Sequence, residues 1–308
     1  SVIYFDPEET SFKTKRLENK NNFYKYFYEA INKVNNKNNK SIYLMKNEDY
    51  FILTGGNCNK FYKYIFKENK LEQKMNLKYN HSNGRLISYN DQIICLSGNY
   101  SKKVEIFSEK NNIWNDLPEM QVERSYFSCC IIKNRYLFVF FGYNCPKNVY
   151  LDTIEYFDIL SYNINMLNQT PQNNNNIYWK YLKYNFFNSN KRINLIGAIA
   201  INYHDEKIII LGGRNNLDKE RNKGYYQFIL DENDMNSDEV NSYIERISNK
   251  NLDMLGNNCF FDYDYRFIEE LNRNNIMKEN TFVAFDNNHN VHLIKLATMN
   301  HEIYNFNK

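Results

Sequence analysis

The sequence predicts an all-β fold built from repeated units of short strands, and three observations support this prediction. Aromatic residues make up 17% of the 308 residues, including 27 tyrosines and 22 phenylalanines, and these residue types favour pleated sheets. Short apolar runs that stop at glycine recur along the chain, and they stop at Gly56, Gly98, Gly142 and Gly213. Their spacings are 42, 44 and 71 residues, so the last interval holds one repeat plus an insertion of roughly 28 residues.

A second marker follows these glycines. Residues 104–107 follow Gly98 with the sequence Val-Glu-Ile-Phe, and a tryptophan comes seven residues later. Residues 153–158 repeat the first half of this marker after Gly142, and residues 2–6 repeat it at the N-terminus. Each unit is therefore expected to contain four strands: a leading apolar strand, a glycine-ended strand, an aromatic–acidic strand and a strand that carries Trp or Phe. Four strands in roughly every 40–50 residues are typical of the blades of a β-propeller.

The unit at residues 84–125 resembles a repeat of the kelch family of β-propellers. It contains the following features in order: Ser97-Gly98, Val104–Phe107, Trp114, Leu117–Met120 and Arg124. Residues 126–158 resemble the family almost as well, and the resemblance is good over residues 1–230 and poor over residues 231–308. Gly-Gly pairs occur in two units where the family usually has one in each blade, and Phe12 stands where tryptophan is usual.

The resemblance implies one domain, a kelch-type propeller over residues 1–308. The spacing predicts six blades, or five if Leu255-Gly256 does not mark a blade. The strands at residues 2–6 and 11–17 are expected to complete a blade begun by residues 281–296. This pairing would close the ring and remove its exposed strand edges.

Several segments fall outside the regular units. Residues 160–194 are expected to form an Asn-rich surface insertion. Residues 302–306 are predicted to form one more strand than the blades require, and the repeat pattern assigns it to no blade. Short helices are expected within residues 19–40 and 262–277. Because the chain opens directly with a strand and without an initiator methionine, we expect it to be a fragment of a longer protein.

Charge and composition argue against several classes of function. The net charge of +3 and the isoelectric point of about 8.3 are too mild to indicate a nucleic-acid partner. No run approaches the ~18 apolar residues of a membrane span, and no secretory signal is visible. The six cysteines contain no C-x-x-C pair, which predicts reduced thiols in an intracellular, cytoplasmic protein, with a nuclear location left open.

No catalytic motif is found, and neither a cofactor nor a metal is predicted. His289 and His292 form H-x-x-H at the head of a strand, where this spacing points the two rings to opposite sides. A structural role is therefore favoured over a metal site. Cys129 and Cys130 are expected to be buried apolar residues rather than a redox pair. The bulky aromatics predicted to pack between blades, rather than to stack on a ligand, are Trp114, Trp179 and Phe12.

The candidate binding surface lies on loops, because loops on rigid scaffolds commonly carry function. The resemblance implies that the loops after the glycine strands share one face with the loops that join blades. An arginine–tyrosine cluster there would suit an acidic peptide, since guanidinium groups pair with carboxylates. The interpretation favoured over such a pocket is that Arg124 is a structural residue of the repeat and that the other arginines are solvated. The candidate partner-binding residues are Arg124, Arg192, Arg214, Arg221, Tyr100 and Tyr143.

Two classes of function remain open. The favoured one is a non-catalytic module that recruits a partner protein, and the resemblance implies a scaffold or a substrate adaptor of a ubiquitin ligase. The alternative is an enzyme with its active site at the channel mouth. Convergent carboxylates and histidines with shifted pKa values would indicate the enzyme, whereas an open face of arginine and tyrosine would indicate peptide binding. The sequence does not predict the oligomeric state.

Overall fold

The computed structural model shows an all-β chain, as predicted. Helical structure in the described part is confined to the 3₁₀ helix Glu232–Met235 and a helical turn at 159–162. The structure describes residues 2–6, 11–15, 42–46, 50–54, 59–65, 68, 70–90, 92–162, 178–186, 193–204, 207–215, 225–235, 241–247, 281–285, 290–295 and 300–305.

Three antiparallel sheets have the predicted four strands in chain order. A hairpin precedes them, formed by β1 (Val2–Asp6) and β2 (Ser11–Lys15). The first sheet contains β3 (Ile42–Lys46), β4 (Tyr50–Thr54), β5 (Phe61–Ile65) and β6 (Lys70–Gln73). The second contains β7 (Arg85–Tyr89), β8 (Gln92–Gly98), β9 (Ser101–Ser108) and β10 (Ile113–Leu117).

The third sheet carries a small hairpin between its second and third strands. The sheet contains β11 (Ser128–Ile132), β12 (Tyr136–Phe140), β15 (Ile154–Asp158) and β16 (Lys180–Leu182). The hairpin is β13 (Tyr143–Asn144) with β14 (Val149–Tyr150), and Tyr143 also bridges to Ser125. The hairpin therefore extends the chain directly after Gly142, at the end of the glycine strand.

The last two sheets depart from four strands. One has the order β17-β21-β20-β19-β18, with β17 parallel to β21, and contains β17 (Asn185–Phe186), β18 (Leu195–His204), β19 (Lys207–Asn215), β20 (Tyr225–Ile229) and β21 (Tyr243–Ile247). The other contains β22 (Thr281–Phe285), β23 (Asn290–Lys295) and β24 (Asn300–Asn305). The surplus strand predicted at 302–306 is thus β24, which pairs with β23 as a third strand.

The leading strands of the sheets lie side by side. β22 lies beside β3, β3 beside β7, β7 beside β11, and β11 beside β18. β1 lies beside β24, although in the described part these two strands belong to separate sheets. The predicted closure of a ring by the N-terminal strands therefore stays a prediction.

Aromatic side chains fill the space between consecutive sheets. Trp114 of β10 is 4% exposed and packs against Phe61 of the preceding sheet, with ring centroids 5.0 Å apart. Its indole N–H donates to the carbonyl of Met75, 3.0 Å away. Trp179 is fully buried just before β16, and its indole N–H donates to the carbonyl of Pro118, which directly follows β10 of the preceding sheet, 2.9 Å away. The predicted packing role of both tryptophans is confirmed.

The predicted insertion at 160–194 is too long. Residues 178–186 supply β16 and β17 together with the buried Trp179, so this part belongs to the sheets. The sequence analysis missed β16 because extra residues separate it from β15 and break the repeat spacing. The rest of the expected excursion, the helices expected at 19–40 and 262–277, and Leu255-Gly256 lie outside the described residues.

Candidate partner-binding face

The turns after the glycine strands are built on left-handed backbone. Gly98 has φ 138° and Gly142 has φ 95°, and the residues before them, Ser97 and Phe141, have φ 45° and 56°. A Cβ at Gly142 would lie 2.8 Å from Cβ of Phe127, and one at Gly98 would lie 2.8 Å from a backbone carbonyl carbon. Both positions therefore require glycine for conformation and for space. The recurring glycine of the sequence marks the start of these turns.

A buried cation holds the turn at Gly142 to the third strand of its sheet. The guanidinium of Arg124 donates to the carbonyl of Phe141 at 2.6 Å and to Glu155 Oε1 at 2.6 Å. It also donates to the carbonyl and the hydroxyl of Thr153, at 3.1 Å and 3.0 Å. The side chains of Arg124 and Glu155 are both fully buried, so this ion pair belongs to the interior.

The preceding sheet has an equivalent contact with a histidine in the place of arginine. His81 Nδ1 lies 2.7 Å from the carbonyl oxygen of Ser97, and His81 Nε2 lies 2.9 Å from Glu105 Oε1. Ser97 precedes Gly98 as Phe141 precedes Gly142. In both sheets, therefore, one side chain joins the carbonyl before the turn glycine to the glutamate of the third strand.

The two glutamates also hold the segments that connect one sheet to the next. Glu105 accepts backbone N–H bonds from Lys78 at 2.9 Å and from Tyr79 at 3.0 Å. Glu155 accepts the backbone N–H of Gln121 at 2.7 Å. Because each buried carboxylate is hydrogen-bonded in this way, the connecting segments are fixed against the sheets that follow them.

Backbone hydrogen bonds link the starts of three successive sheets. The N–H of Tyr126 donates to the carbonyl of Asn83 at 3.0 Å, and the N–H of Gly197 donates to the carbonyl of Tyr126 at 2.7 Å. All three residues have positive φ, at 59°, 55° and 70°. Such backbone is sparsely populated by non-glycine residues and persists where the surrounding structure enforces it.

Side chains join the two turns into one surface. The Asn83 amide donates to the Tyr126 hydroxyl at 2.8 Å and to Asn99 Oδ1 at 3.2 Å. The Cys145 thiol donates to the same oxygen of Asn99 at 3.1 Å. The turn after Gly98 and the hairpin after Gly142 are therefore adjacent. We call residues 97–101 together with residues 143–150 the turn face.

Two of the predicted site residues lie on the turn face. Tyr100 is 73% exposed at the tip of its turn. Tyr143 is half-buried in the hairpin, its hydroxyl donates to Asn148, and its ring packs edge-to-face on Tyr150 with centroids 5.5 Å apart. Val149, in the same hairpin, is 44% exposed. The turn face thus presents aromatic and aliphatic groups on constrained backbone.

Arg124 does not belong to this surface, which corrects its assignment as a candidate partner-binding residue. Its side chain is fully buried and engaged with Glu155, so the structural role that the sequence left open is the one its contacts support. The backbone of Arg214 lies in β19, opposite Ile196. Arg192, Arg221 and the side chain of Arg214 lie outside the described residues.

The sequence analysis missed the histidine and the glutamates of the buried pairs. His81 and Arg124 are 43 residues apart, which is the repeat period, and Glu105 and Glu155 are the acidic residues of the aromatic–acidic strands. The repeat period could have shown that His81 and Arg124 occupy equivalent positions in successive units. The replacement of arginine by histidine at one of them hid the correspondence.

The adjacent cysteines lie on opposite faces of β11, as predicted. Cys130 belongs to the core shared with the following sheet, whereas Cys129 packs against the core shared with the preceding one. Burial raises the pKa of Cys129 to about 12 and raises the pKa of Cys130 well above its ordinary value. Both thiols therefore stay protonated near neutral pH, which fits a packing role.

Among the described residues, no group of three or more His, Cys, Asp or Glu side chains is placed to hold a metal ion. No helix among them has the length and apolarity needed to cross a membrane. His289 and the His292 side chain, which form the H-x-x-H motif, lie outside them.

Comparisons with known proteins give a distant structural likeness. No protein-family profile matches the chain, and no curated protein matches its sequence. A solved structure titled "Structure of YjhT" is similar over 83% of this chain and 71% of that chain, with a TM-score of 0.50 and 10% sequence identity. At this identity the likeness concerns the fold alone.

Proposed function

We propose that this chain is a non-catalytic module, a kelch-type β-propeller that binds a partner protein through the turn face. The side-by-side leading strands support the propeller, because blades in a ring place their first strands around a common axis. The repeated tryptophan contacts between sheets support it as well. Five sheets of three or more strands occur in the described part, which agrees with either five blades or six.

The observation that carries the binding proposal is the exposed Tyr100 on a rigid turn. Tyrosine is enriched among residues that dominate binding energy at protein interfaces. Left-handed residues and the His81 contact constrain this turn, so little conformational entropy is lost when it binds. Val149 and Tyr150 add apolar groups in the hairpin of the same turn face.

The buried histidine and glutamates that hold the turns support a binding module over an enzyme. His81, Glu105 and Glu155 are buried, and each is engaged in the contacts that hold the turns. Side chains that already hold backbone in place are poorly suited to act on a substrate. The module would act as a scaffold or as a substrate adaptor of a ubiquitin ligase, inside the cell.

The proposal is tested by affinity capture with quantitative mass spectrometry. Tyr100→Ala and Val149→Asp are compared with wild type, and Tyr181→Ala is the control, since Tyr181 is 49% exposed on β16 outside the turn face. We expect the same captured proteins to be lost with both turn-face variants and kept by the control, at unchanged melting temperatures. Equal capture by all four proteins, or equal loss from the control, would contradict the turn face as the binding surface.

The acidic character of the partner is a separate part of the proposal. Exposed charge pairs are screened by salt, so binding to an acidic peptide should weaken as the salt concentration rises. Arg214→Glu should weaken it further, whereas a charge reversal at Lys110 should not. Binding that is insensitive to salt and to Arg214→Glu, but lost with Tyr100→Ala, would indicate a neutral partner.

A further inference from the structure

His81 is held between two hydrogen-bond acceptors. The carbonyl oxygen of Ser97, 2.7 Å from Nδ1, can only accept, and Glu105 Oε1 lies 2.9 Å from Nε2. A neutral imidazole carries a single N–H, so both contacts are satisfied when a second proton lies between Nε2 and Oε1. The side chains are 1% and 0% exposed, which leaves little opportunity for water to replace either bond.

The equivalent position in the next sheet carries a permanent charge. Arg124 makes the corresponding contacts to Phe141 and Glu155, and a guanidinium does not lose its proton in proteins. Histidine is the side chain that changes charge near neutral pH. The two turns of the turn face are thus held by the same type of contact, one titratable and one not.

The titratable residues next to His81 and Glu105 make contacts of their own. Lys78 and Tyr79 face the pair with backbone N–H groups, and the Lys78 ammonium pairs with Asp116 at 2.9 Å. Asp116 lies opposite Glu105 on β10. Cys95 lies opposite Glu105 on β8, and burial, followed by the charge of Glu105, raises the pKa of this thiol well above its ordinary value. These neighbours leave the contact between His81 Nε2 and Glu105 Oε1 as the charged contact that supports the turn.

We propose that this shared proton makes the turn at residues 97–101 a pH-sensitive element of the fold. As pH rises and the proton leaves, the Nε2 lone pair faces a carboxylate, and His81 can keep one of its two bonds. The turn, which begins at Ser97 with φ 45°, then loses part of its support and opens more often. The hairpin that follows Gly142 keeps its arginine and does not respond.

The test uses two equivalent amides in the wild-type chain. The N–H of Asn99 donates to the carbonyl of Ser82 at 2.7 Å, and the N–H of Tyr143 donates to the carbonyl of Ser125 at 2.8 Å. Residue-resolved hydrogen exchange by NMR, corrected for intrinsic rates, is measured from about pH 6 to about pH 9.5. We expect protection of Asn99 to fall about tenfold or more, the effect of losing one charged hydrogen bond, while protection of Tyr143 stays within about twofold.

Two further measurements follow the protonation of His81 itself. Nitrogen-15 spectra of the His81 ring should show both nitrogens protonated at the low end of the range and one at the high end. His81→Gln should show weak protection at Asn99 that does not vary with pH. Parallel changes at Asn99 and Tyr143, or unchanged protection of Asn99 while the ring loses a proton, would overturn the proposal. None of these outcomes depends on partner binding. The pH-sensitive turn can therefore be disproved while the proposed binding function holds, and the binding function can be disproved while the turn proves pH-sensitive.

Discussion

Replacing Arg124 with methionine removes the buried cation that holds the turn at Gly142. Methionine fills much of the same space, so the change mainly deletes the charge and its hydrogen bonds. It leaves Glu155 buried without its cation, and it leaves the carbonyl of Phe141 without this donor. Removing one partner of a buried pair costs about 3–5 kcal/mol, which is a large part of the ~5–15 kcal/mol that stabilises a typical domain.

The assay is urea unfolding followed by tyrosine and tryptophan fluorescence, with the slope and the midpoint fitted separately. Arg135→Met is the matched control, because Arg135 also pairs with an acid, Asp158, but its side chain is 41% exposed. A pair exposed to this degree is worth about 0–1 kcal/mol. We expect the Arg124 variant to lose several times more unfolding free energy than the control.

A double-mutant cycle separates the ion pair from the other contacts of Arg124. Combining Arg124→Met with Glu155→Gln removes both charges, so the double variant should be more stable than the sum of the single losses predicts, by about 1–3 kcal/mol. A loss below about 1 kcal/mol for Arg124→Met, or additive effects in the cycle, would refute the assignment of Arg124 as a buried structural cation.

Three further predictions follow from the packing and the ion pairs. Trp114→Ala should cost about 3–5 kcal/mol in urea unfolding, because it empties a buried site between two sheets, and a cost under about 1 kcal/mol would contradict this. Gly142→Ala should lower the melting temperature, since its Cβ would meet Phe127 at 2.8 Å and φ is 95°; an unchanged melting temperature would show that the turn can shift. Burial is the largest single influence on the pKa of Asp158 and raises it, but hydrogen bonds from Arg135 and from Ser161 in the following helical turn lower the pKa overall. The ionised Asp158 therefore stabilises the fold above its ordinary pKa of 3.8, and this contribution is lost as the pH falls below that value. Asp158→Asn should flatten the acid limb of the stability–pH curve, and an identical limb in the variant would exclude this ion pair as its source.

Local patterns in the sequence predicted the strands and their order. Alternating apolar residues, the stopping glycines and the Trp-bearing fourth strand were correct for β7–β10, because each of these signals acts within a few residues of chain. The burial of Trp114 and the opposite orientations of Cys129 and Cys130 followed from the same periodicity. The strand at 180–182 was missed because the segment before it breaks the spacing.

The candidate site was less accessible to sequence reasoning. Arg124 was grouped with the candidate partner-binding arginines because the loops that join blades were expected to share a face with the loops after the glycine strands. Its burial depends on Glu155, which is 31 positions away on the third strand of the following sheet and faces Arg124 only once that sheet has formed. Likewise, Tyr100 and Tyr143 share a surface because Asn99 and Cys145 meet across two turns.

The sequence by itself determined the all-β class, the period of the repeat and the residues that end and pack each strand, because hydrophobic alternation and glycine act locally. The tertiary structure decided which polar residues are inside and which are available to a partner. Burial of a charge is favourable only where a counter-charge and backbone acceptors converge on it, and that convergence joins a connecting segment to residues on separate strands of the next sheet. For this reason His81 and Arg124 became the supports of the turns, and Tyr100 was left exposed on them.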